Sequence, residues 1–226
     1  MDMAKAAGDF DGDGKSDIVF QNIDDGACYI WEMNGLNLKS GGYGSSYGDV
    51  GWKTGKDWQV KATGDFNNDG KSDIVFQNVK DGACYIWEMD GLNFRSGGYG
   101  DSYGDVGKSK GADWVVKATG DFDGDGKSDI LFQNVTDGAC HIWLMDGLNL
   151  KKDGSGDVGW KPGANWLVKS TGDYDGDGKT DIFLQNVDDG ACYIWELDGL
   201  ALKSGGYGGS YGDVGWKAGA DWHALA

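Results

Sequence analysis

Four acidic loops of nearly the same sequence hold the residues of this chain that are best suited to chemistry. The first loop runs from Asp9 to Asp17 and places carboxylates at its positions 1, 3, 5 and 9. Gly14, at position 6, allows a sharp turn, and Lys15, at position 7, offers its backbone carbonyl. Ca²⁺ takes about six to eight oxygen ligands, whereas zinc prefers nitrogen and sulfur. The loop therefore predicts a calcium site.

Because the loop occurs four times, we expect about one Ca²⁺ ion per repeat. Asn67 replaces the acid at position 3 of the second loop, which keeps an oxygen ligand and removes one charge. An EF-hand would need Glu at position 12, where the first loop has Phe20 in a predicted strand. The alternative is an acidic turn that binds nothing, although its carboxylates would then repel one another. The candidate metal ligands are Asp9, Asp11, Asp13, Lys15, Asp17, Asp65, Asn67, Asp69, Lys71, Asp73, Asp121, Asp123, Asp125, Lys127, Asp129, Asp173, Asp175, Asp177, Lys179 and Asp181.

The elements that must position these loops repeat with them. The loop motif begins at Gly8, Gly64, Gly120 and Gly172, at intervals of 56, 56 and 52 residues. Each unit carries short runs of β-branched and aromatic residues, separated by Asp-Gly and Asn-Gly pairs that favour tight hairpins. No stretch shows a sustained helical period. In the first units the predicted strands are residues 18–21, 27–33, 36–39 and 58–62.

Four strands per unit, with both sheet faces largely apolar, favour an all-β protein: a β-propeller of four-stranded antiparallel blades, four blades per chain. The alternative is a stacked β-solenoid, whose coils are usually shorter. We expect one repeat domain over residues 1–226, with units at about 1–56, 57–112, 113–164 and 165–220 and a closing strand at 221–226. That strand would complete the first blade in the same chain, or in a second copy that closes an eight-blade ring.

The loop motif, with a Trp-containing strand before it and Ala-Cys-Tyr-Ile-Trp-Glu-Met after it, resembles the FG-GAP/VCBS repeat family, the bacterial relatives of the integrin α-subunit propeller. The resemblance covers all four units. It implies a propeller with Ca²⁺ in a hairpin loop of each blade and an extracellular or cell-surface location, although no signal peptide is visible. Some relatives are sugar-binding lectins, and others are non-catalytic parts of adhesins or of polysaccharide-degrading enzymes.

Composition excludes several partners and reactions. A net charge of −17 argues against nucleic acid, and no apolar run is long enough for membrane insertion. Cys28, Cys84, Cys140 and Cys192 repeat at blade spacing, so we expect buried free thiols rather than disulfides. His141 stands where other repeats have Tyr, which indicates a substitution on a strand face. No Ser-His-Asp order, phosphate loop or zinc-protease motif occurs, so we do not expect an enzyme.

Aromatic residues among Gly and Ser, near the end of each repeat, are the candidate ligand site. Exposed aromatic rings stack on the apolar faces of sugars, which favours a carbohydrate-binding module. Alternatively these rings pack the connections between blades, and the protein is a structural or protein-adhesion scaffold without a small ligand. The candidate ligand-binding residues are Tyr43, Tyr47, Trp52, Tyr99, Tyr103, Trp160, Tyr207, Tyr211 and Trp216.

Overall fold

The computed structural model describes residues 2–39, 47–49, 55–95, 103–105, 110–203 and 211–213, together with Asp221 and Ala224. These residues form strands, turns and loops and contain no helix. No helical segment of the described chain could therefore span a bilayer. The predicted all-β class is confirmed, as is the repetition of small antiparallel sheets.

The chain divides into two compact units, each of which contains two four-stranded sheets. The first unit comprises Met1–Ala112 with Asp146–Asn149, and the second comprises Asp113–Met145 with Leu150–Ala226. The single repeat domain predicted from sequence stays a prediction, as does closure of the sheets into a ring.

The first unit holds sheets 1 and 2, which have the same strand order. Sheet 1 has the order β1-β2-β3-β6 and sheet 2 the order β12-β9-β8-β7, while β4 pairs with β5 and β10 with β11. The strands are β1 (Asp2–Gly8), β2 (Asp17–Asn22), β3 (Cys28–Trp31), β4 (Met33–Asn34), β5 (Asn37–Leu38), β6 (Tyr47–Asp49), β7 (Trp58–Gly64), β8 (Asp73–Asn78), β9 (Cys84–Trp87), β10 (Met89–Asp90), β11 (Asn93–Phe94) and β12 (Tyr103–Asp105).

The second unit holds sheets 3 and 4. Sheet 3 has the order β13-β14-β15-β16 and sheet 4 the order β17-β18-β19-β22, while β20 pairs with β21. The strands are β13 (Trp114–Gly120), β14 (Asp129–Asn134), β15 (Cys140–Asp146), β16 (Asn149–Val158), β17 (Trp166–Gly172), β18 (Asp181–Asn186), β19 (Cys192–Trp195), β20 (Leu197–Asp198), β21 (Ala201–Leu202) and β22 (Tyr211–Asp213).

In sheets 1, 2 and 4 the fourth strand is not the segment that the sequence predicts, whereas β16 of sheet 3 begins at Asn149 in the equivalent segment. Residues 36–39 contribute only β5, a two-residue strand that pairs with β4. The edge of sheet 1 is instead formed by β6, which pairs with β3 through Tyr47 opposite Trp31 and Asp49 opposite Tyr29. The prediction fails because the Gly-rich segment that contains β6 has no alternating pattern of apolar residues. This segment forms a strand because it pairs with the existing edge strand β3.

A β-bulge interrupts the first strand of every sheet at the same place. The register of β7 against β8 shifts between Val60 and Ala62, so that Lys61 is the extra residue. The other first strands have the same irregularity. The bulged residues are Lys5, Lys61, Lys117 and Lys169.

In each unit a buried glutamine near the end of the first sheet's second strand holds the first strand of the sheet that follows. Gln21 donates its amide to the carbonyl of Trp58 at 2.9 Å and accepts the N–H of Val60 at 3.0 Å. Gln133 makes the equivalent contacts in the second unit. Gln185 accepts the N–H of Ala224 at 2.8 Å, which gives Ala224 the place that Val60 has beside Gln21.

Sheet 1 already has a first strand of its own, since β1 pairs with β2 over six residue pairs from Asp2–Asn22 to Gly8–Asp17. The segment 221–226 is therefore not needed to complete that sheet within the same chain. The described contact of Ala224 lies instead on sheet 4.

Each unit has its own hydrophobic core. In the first unit Phe10, which is fully buried, packs with Val60, Ile74 and Trp87. In the second unit Phe122 packs with Ile182 and Trp195 in the same way. Because these phenylalanines occupy position 2 of an acidic loop, the loops are anchored in the core at this residue.

Candidate metal centres

Each acidic loop joins the first strand of a sheet to the second, as predicted. The first loop starts at Asp9, directly after β1, and ends at Asp17, the first residue of β2. Gly12 and Gly14 have φ angles of 77° and 81°, which other residue types adopt only with strain. The alternation of Asp and Gly thus lets the chain curl while its carboxylates point toward one centre.

The Asp at position 1 binds the main chain of its own loop. Asp9 Oδ1 accepts the N–H groups of Gly12 at 2.8 Å and Asp13 at 3.1 Å, and its Oδ2 accepts that of Gly14 at 2.7 Å. Asp121 and Asp173 each accept three N–H groups in the same pattern. These hydrogen bonds hold the curled conformation of the loop without a bound ion.

The Asp at position 9 is fully buried and holds two segments together. Asp17 accepts the N–H of Phe10 at 2.9 Å and that of Met33 at 2.8 Å, one on each carboxylate oxygen. Both oxygens therefore already bind the main chain, a structural role that the sequence analysis did not include. The equivalent residues, with the same pair of bonds, are Asp73, Asp129 and Asp181.

Burial makes these position-9 carboxylates costly to ionise. Desolvation raises the pKa of Asp73 and of Asp129 to about 7, against the lowering effect of their two backbone hydrogen bonds. The pKa values of Asp17 and Asp181 are also raised by burial. A nearby divalent cation would favour the charged form of these carboxylates. Its binding would therefore offset the cost of ionising them.

Carboxylate oxygens converge in three of the four loops. One oxygen from each of three acids lies within 4.8 Å of the others, the separation that a shared cation requires. Oδ1 of Asp123 is buried and has no hydrogen-bond partner among the described residues, so an oxygen is left for an ion. The donor set is oxygen only and fits Ca²⁺. The three groups are Asp9, Asp11 and Asp13; Asp121, Asp123 and Asp129; and Asp173, Asp175 and Asp181.

A lysine that the sequence analysis missed lies between the acids at positions 3 and 5 of the same three loops. Lys39 forms ion pairs with Asp11 and, at 2.8 Å, with Asp13. Its hydrogen bond is the main reason that the pKa of Asp13 falls to about 2. Lys151 and Lys203 pair with the equivalent acids. In these three repeats the signal was a lysine two residues after the Gly-Leu-Asn or Gly-Leu-Ala segment.

The second loop differs from the other three in its position-3 residue and in the residue that replaces the bridging lysine. Asn67 replaces the acid at position 3, and neither its side-chain oxygen nor its nitrogen has a partner among the described residues, although both atoms are buried. Arg95 stands where the other repeats have the bridging lysine, and it pairs with Glu88 at 3.5 Å. The second loop accordingly has no group of three close acids within the part of the chain that the structure describes.

The residues predicted to offer backbone carbonyls at position 7 are held by their N–H groups. Lys15 N donates to Oδ1 of Asp13 at 2.9 Å. The lysine side chains leave the loop in two cases, where Lys71 pairs with Asp90 and Lys179 with Asp198. The equivalent backbone bonds start from Lys71, Lys127 and Lys179. Carbonyl ligation by these four residues stays a prediction.

Consecutive loops touch within each unit. Ser72 N donates to the carbonyl of Asp9 at 2.6 Å, and Thr180 N donates to that of Asp121 at 2.7 Å. Gly8 lies so close to Ser72 that a Cβ on it would meet the serine hydroxyl at 2.6 Å. The first ligand of one loop is thus joined to position 8 of the next.

Comparison with known families matches this pattern. A model of the FG-GAP-like repeat matches residues 9–76, 65–132 and 121–184, each match running from one acidic loop past the next. The chain belongs to the FG-GAP-like repeat family. No curated protein matches the chain at a significant level. The family membership confirms the resemblance found in the sequence.

Only one of the predicted ligand-binding aromatics of these FG-GAP-like repeats has a described side chain. Trp160 is 40% exposed and lies 5.0 Å from Trp195 and 6.2 Å from Tyr193, between ring centroids. These rings line a cavity of about 120 Å³ together with Trp166, Leu184 and Pro162.

The other aromatic predictions stay untested. Three of these residues belong to edge strands rather than loops, and their side chains are not described: Tyr47, Tyr103 and Tyr211. The remaining five lie outside the described residues: Tyr43, Trp52, Tyr99, Tyr207 and Trp216.

The cysteines of the FG-GAP-like repeats are all free and buried, as predicted. Each thiol points to the carbonyl of the glycine two residues before it, as Cys28 does with Gly26 at 3.6 Å. Burial raises the pKa of the Cys140 thiol to about 12, so it stays protonated and unreactive at neutral pH.

Proposed function

We propose that the chain is a calcium-stabilised module of the β-propeller type that acts by binding. The observation that carries the proposal is the convergence of three carboxylates within 4.8 Å in three separate loops, on a chain with a net charge of −17. A family of repeats with acidic loops at equivalent places supports one ion per loop. The ion would supply positive charge to carboxylates that the fold holds close together.

The acids at positions 1, 3 and 5 would hold the ion, with the position-9 Asp behind them. In the first loop these are Asp9, Asp11, Asp13 and Asp17. Since Lys39 already pairs with Asp11 and Asp13, calcium has to compete with its ammonium group. Because the loop also joins two strands, loss of the ion would loosen the sheet as well as the loop.

Calcium titration of protein stripped with EDTA tests this proposal. We expect calorimetry to show heat with Ca²⁺, with about four ions bound per chain and little response to Zn²⁺. The melting temperature should fall by about 10 °C in EDTA and return when calcium is added in excess. Absence of calcium heat together with an unchanged melting curve would contradict the proposal.

The aromatic cavity supports carbohydrate as the bound partner. Trp160 offers an exposed indole next to Trp166 and Tyr193, which face each other edge-on at 5.1 Å. Such rings stack on sugar faces and bury apolar C–H groups. The indole N–H of Trp195 is buried without a hydrogen-bond partner among the described residues, so it is a donor for a ligand oxygen.

A glycan array in calcium buffer separates a carbohydrate-binding module from a scaffold. We expect Trp160→Ala to abolish binding of any positive glycan. The matched control is Leu150→Ala, because Leu150 is similarly exposed but does not line the cavity. If no glycan binds the wild-type protein, the scaffold function is favoured instead.

We also propose that a second copy of the chain completes an eight-blade ring. Gln185 holds Ala224 in the way that Gln21 holds Val60, the first strand of the next sheet. Each copy already supplies the first strand of its own sheet 1 in β1, so in the ring β1 of the partner would take the place beside Gln185 that Ala224 has here. Light scattering should give a dimer, and a monomer at all concentrations would exclude this ring.

A further inference from the structure

A histidine, a serine and an aspartate meet on sheet 3 in an arrangement found at no other described place in the chain. His141 lies on β15, while Ser155 and Asp157 lie on the adjacent edge strand β16. Nδ1 of His141 is 2.6 Å from Oδ1 of Asp157, and Nε2 is 2.9 Å from Oγ of Ser155. Ser155 and Asp157 are two residues apart on one strand, so both side chains reach the same face.

The hydrogen-bond chemistry fixes the direction of this network. A carboxylate oxygen accepts hydrogen bonds, so Nδ1–H of the neutral imidazole donates to Asp157. Nε2 then carries the lone pair and accepts the hydroxyl proton of Ser155. This is the order of groups that activates a serine: a nucleophile, a base beside it, and an acid that orients the base.

Both reactive members are departures from the repeat. Sheets 1, 2 and 4 have Tyr29, Tyr85 and Tyr193 at the place of His141. Ser155 likewise stands where the other repeats have Tyr47, Tyr103 and Tyr211, two residues before an Asp that all four repeats contain. In the third repeat a histidine and a serine thus stand beside an Asp that all four repeats contain.

The residues around this group bury His141 and leave Ser155 exposed to solvent. His141 is 6% exposed and packs against Trp114, with ring centroids 5.6 Å apart and planes at 68°. Ser155 is exposed and flanked by Gly154 and Gly156, so no side chain from either neighbour covers its hydroxyl. The aromatic cavity is lined by other residues, which makes this site separate from it.

We infer that Ser155 is a nucleophile for acyl transfer, with His141 as general base and Asp157 as the residue that positions His141. The substrate class is a small carboxylic ester, because the serine lies on open surface without an acyl pocket among the described residues. This activity goes beyond the binding function proposed above and does not depend on it.

The reaction balances without a cofactor. Oγ of Ser155 forms a bond to the ester carbonyl carbon as Nε2 of His141 takes its proton. The bond from that carbon to the alcohol oxygen then breaks, and the proton passes from His141 to the leaving oxygen. Water then attacks the acyl carbon as Nε2 takes its proton, the bond from that carbon to Oγ of Ser155 breaks, and Oγ receives the proton from Nε2. The sum is ester plus water giving acid plus alcohol.

Labelling with a fluorophosphonate probe and hydrolysis of p-nitrophenyl acetate test the inference on the full chain. We expect mass spectrometry to find the label on Ser155 and the wild type to hydrolyse the ester at least tenfold faster than Ser155→Ala. His141→Tyr should lose both signals and keep its fold, because Tyr is the residue of the other repeats. Asp157→Asn should lower kcat with KM unchanged, since it favours the wrong tautomer.

Ser170→Ala is the matched control, because Ser170 bonds a tyrosine hydroxyl rather than a histidine. It should keep wild-type labelling and rate. Equal hydrolysis by wild type and Ser155→Ala, or label spread over other residues, would overturn the inference. Melting curves of each variant show whether a loss of activity is a loss of fold.

Discussion

The first and second acidic loops lie in the same unit and differ in a way that shows how the repeats handle charge. The first loop has four acids, and Lys39 pairs with two of them. The second loop has three acids and Asn67, and the nearby Arg95 pairs with Glu88 instead. Counting the bridging lysine, both loops carry the same net charge from these groups.

The comparison shows that the position-3 residue and the lysine that bridges positions 3 and 5 change together. An acid at position 3 is accompanied by a lysine in the first, third and fourth loops, and the neutral Asn67 is accompanied by a residue that bonds elsewhere. Without calcium, the lysine limits repulsion among the acids. If calcium binds as proposed, the same lysine would compete with the ion.

The largest expected effect is that of pH on protein stripped of calcium. Burial raises the pKa of Asp73 from 3.8 to about 7, so the folded state binds this proton more tightly than the unfolded state. Stability should therefore fall as pH rises from about 4 to about 7, with a loss of about 10 °C in melting temperature in EDTA. In calcium the loss should be smaller, because the cation favours the ionised form. A stability that rises through this window in EDTA would contradict the pKa assignment.

Removing the position-1 acid should have the next largest effect. Asp9 accepts three backbone N–H groups, whereas Asp65 accepts two, from Asp69 and Gly70. At about 1 kcal/mol per bond, Asp9→Ala should lower the free energy of unfolding by about 3 kcal/mol and Asp65→Ala by about 2. Urea unfolding in EDTA measures both without the contribution of the ion. Equal losses would mean that the third bond contributes nothing.

Converting the second loop into the first tests the charge pairing directly. Asn67→Asp adds a carboxylate beside Asp65 and Asp69 without a lysine, which should cost about 2 kcal/mol in EDTA. Adding Arg95→Lys should recover most of the loss, because the new lysine can reach the loop. The double-mutant cycle isolates this coupling. A loss that Arg95→Lys leaves unchanged would show that the two positions act independently.

The smallest expected effect is a change in calcium affinity. Lys39→Met removes the ammonium that competes for Asp11 and Asp13, so the first loop should bind calcium about tenfold more tightly. Arg95→Met is the control and should leave the second loop unchanged. The amide NMR signals of Gly14 and Gly70 report the two sites separately. An unchanged first-loop affinity would indicate that the ion and Lys39 are accommodated together.

The sequence predicted what depends on short-range pattern. The loop boundaries, the hairpin that each loop forms and the buried Cys28 follow from spacing and alternation. It did not predict the edge strand Tyr47–Asp49, because that strand is ordered by its partner Trp31 rather than by its own Gly-rich sequence. It did not predict Lys39 at the loop either, since a contact over 28 residues requires the sheet to be formed first.

His141 is a second case in which a contact between strands could not be predicted from the sequence. Read along the chain, it is a replacement for tyrosine with no catalytic order of residues around it. The contact with Ser155 appears only when β16 lies next to β15. Chemistry that crosses between strands is invisible to a motif search along one of them.

The hydrogen bonds between buried glutamines and the main chain of a following strand affect how such a chain can change in length. The hydrogen bonds described between Gln21, Gln133 or Gln185 and the strand that each holds go to main-chain groups of that strand. The same kind of contact is made by valine at Val60 and by alanine at Ala224. Duplication or deletion of a whole repeat would therefore preserve main-chain contacts of this kind, so recombination could change the number of repeats in single steps.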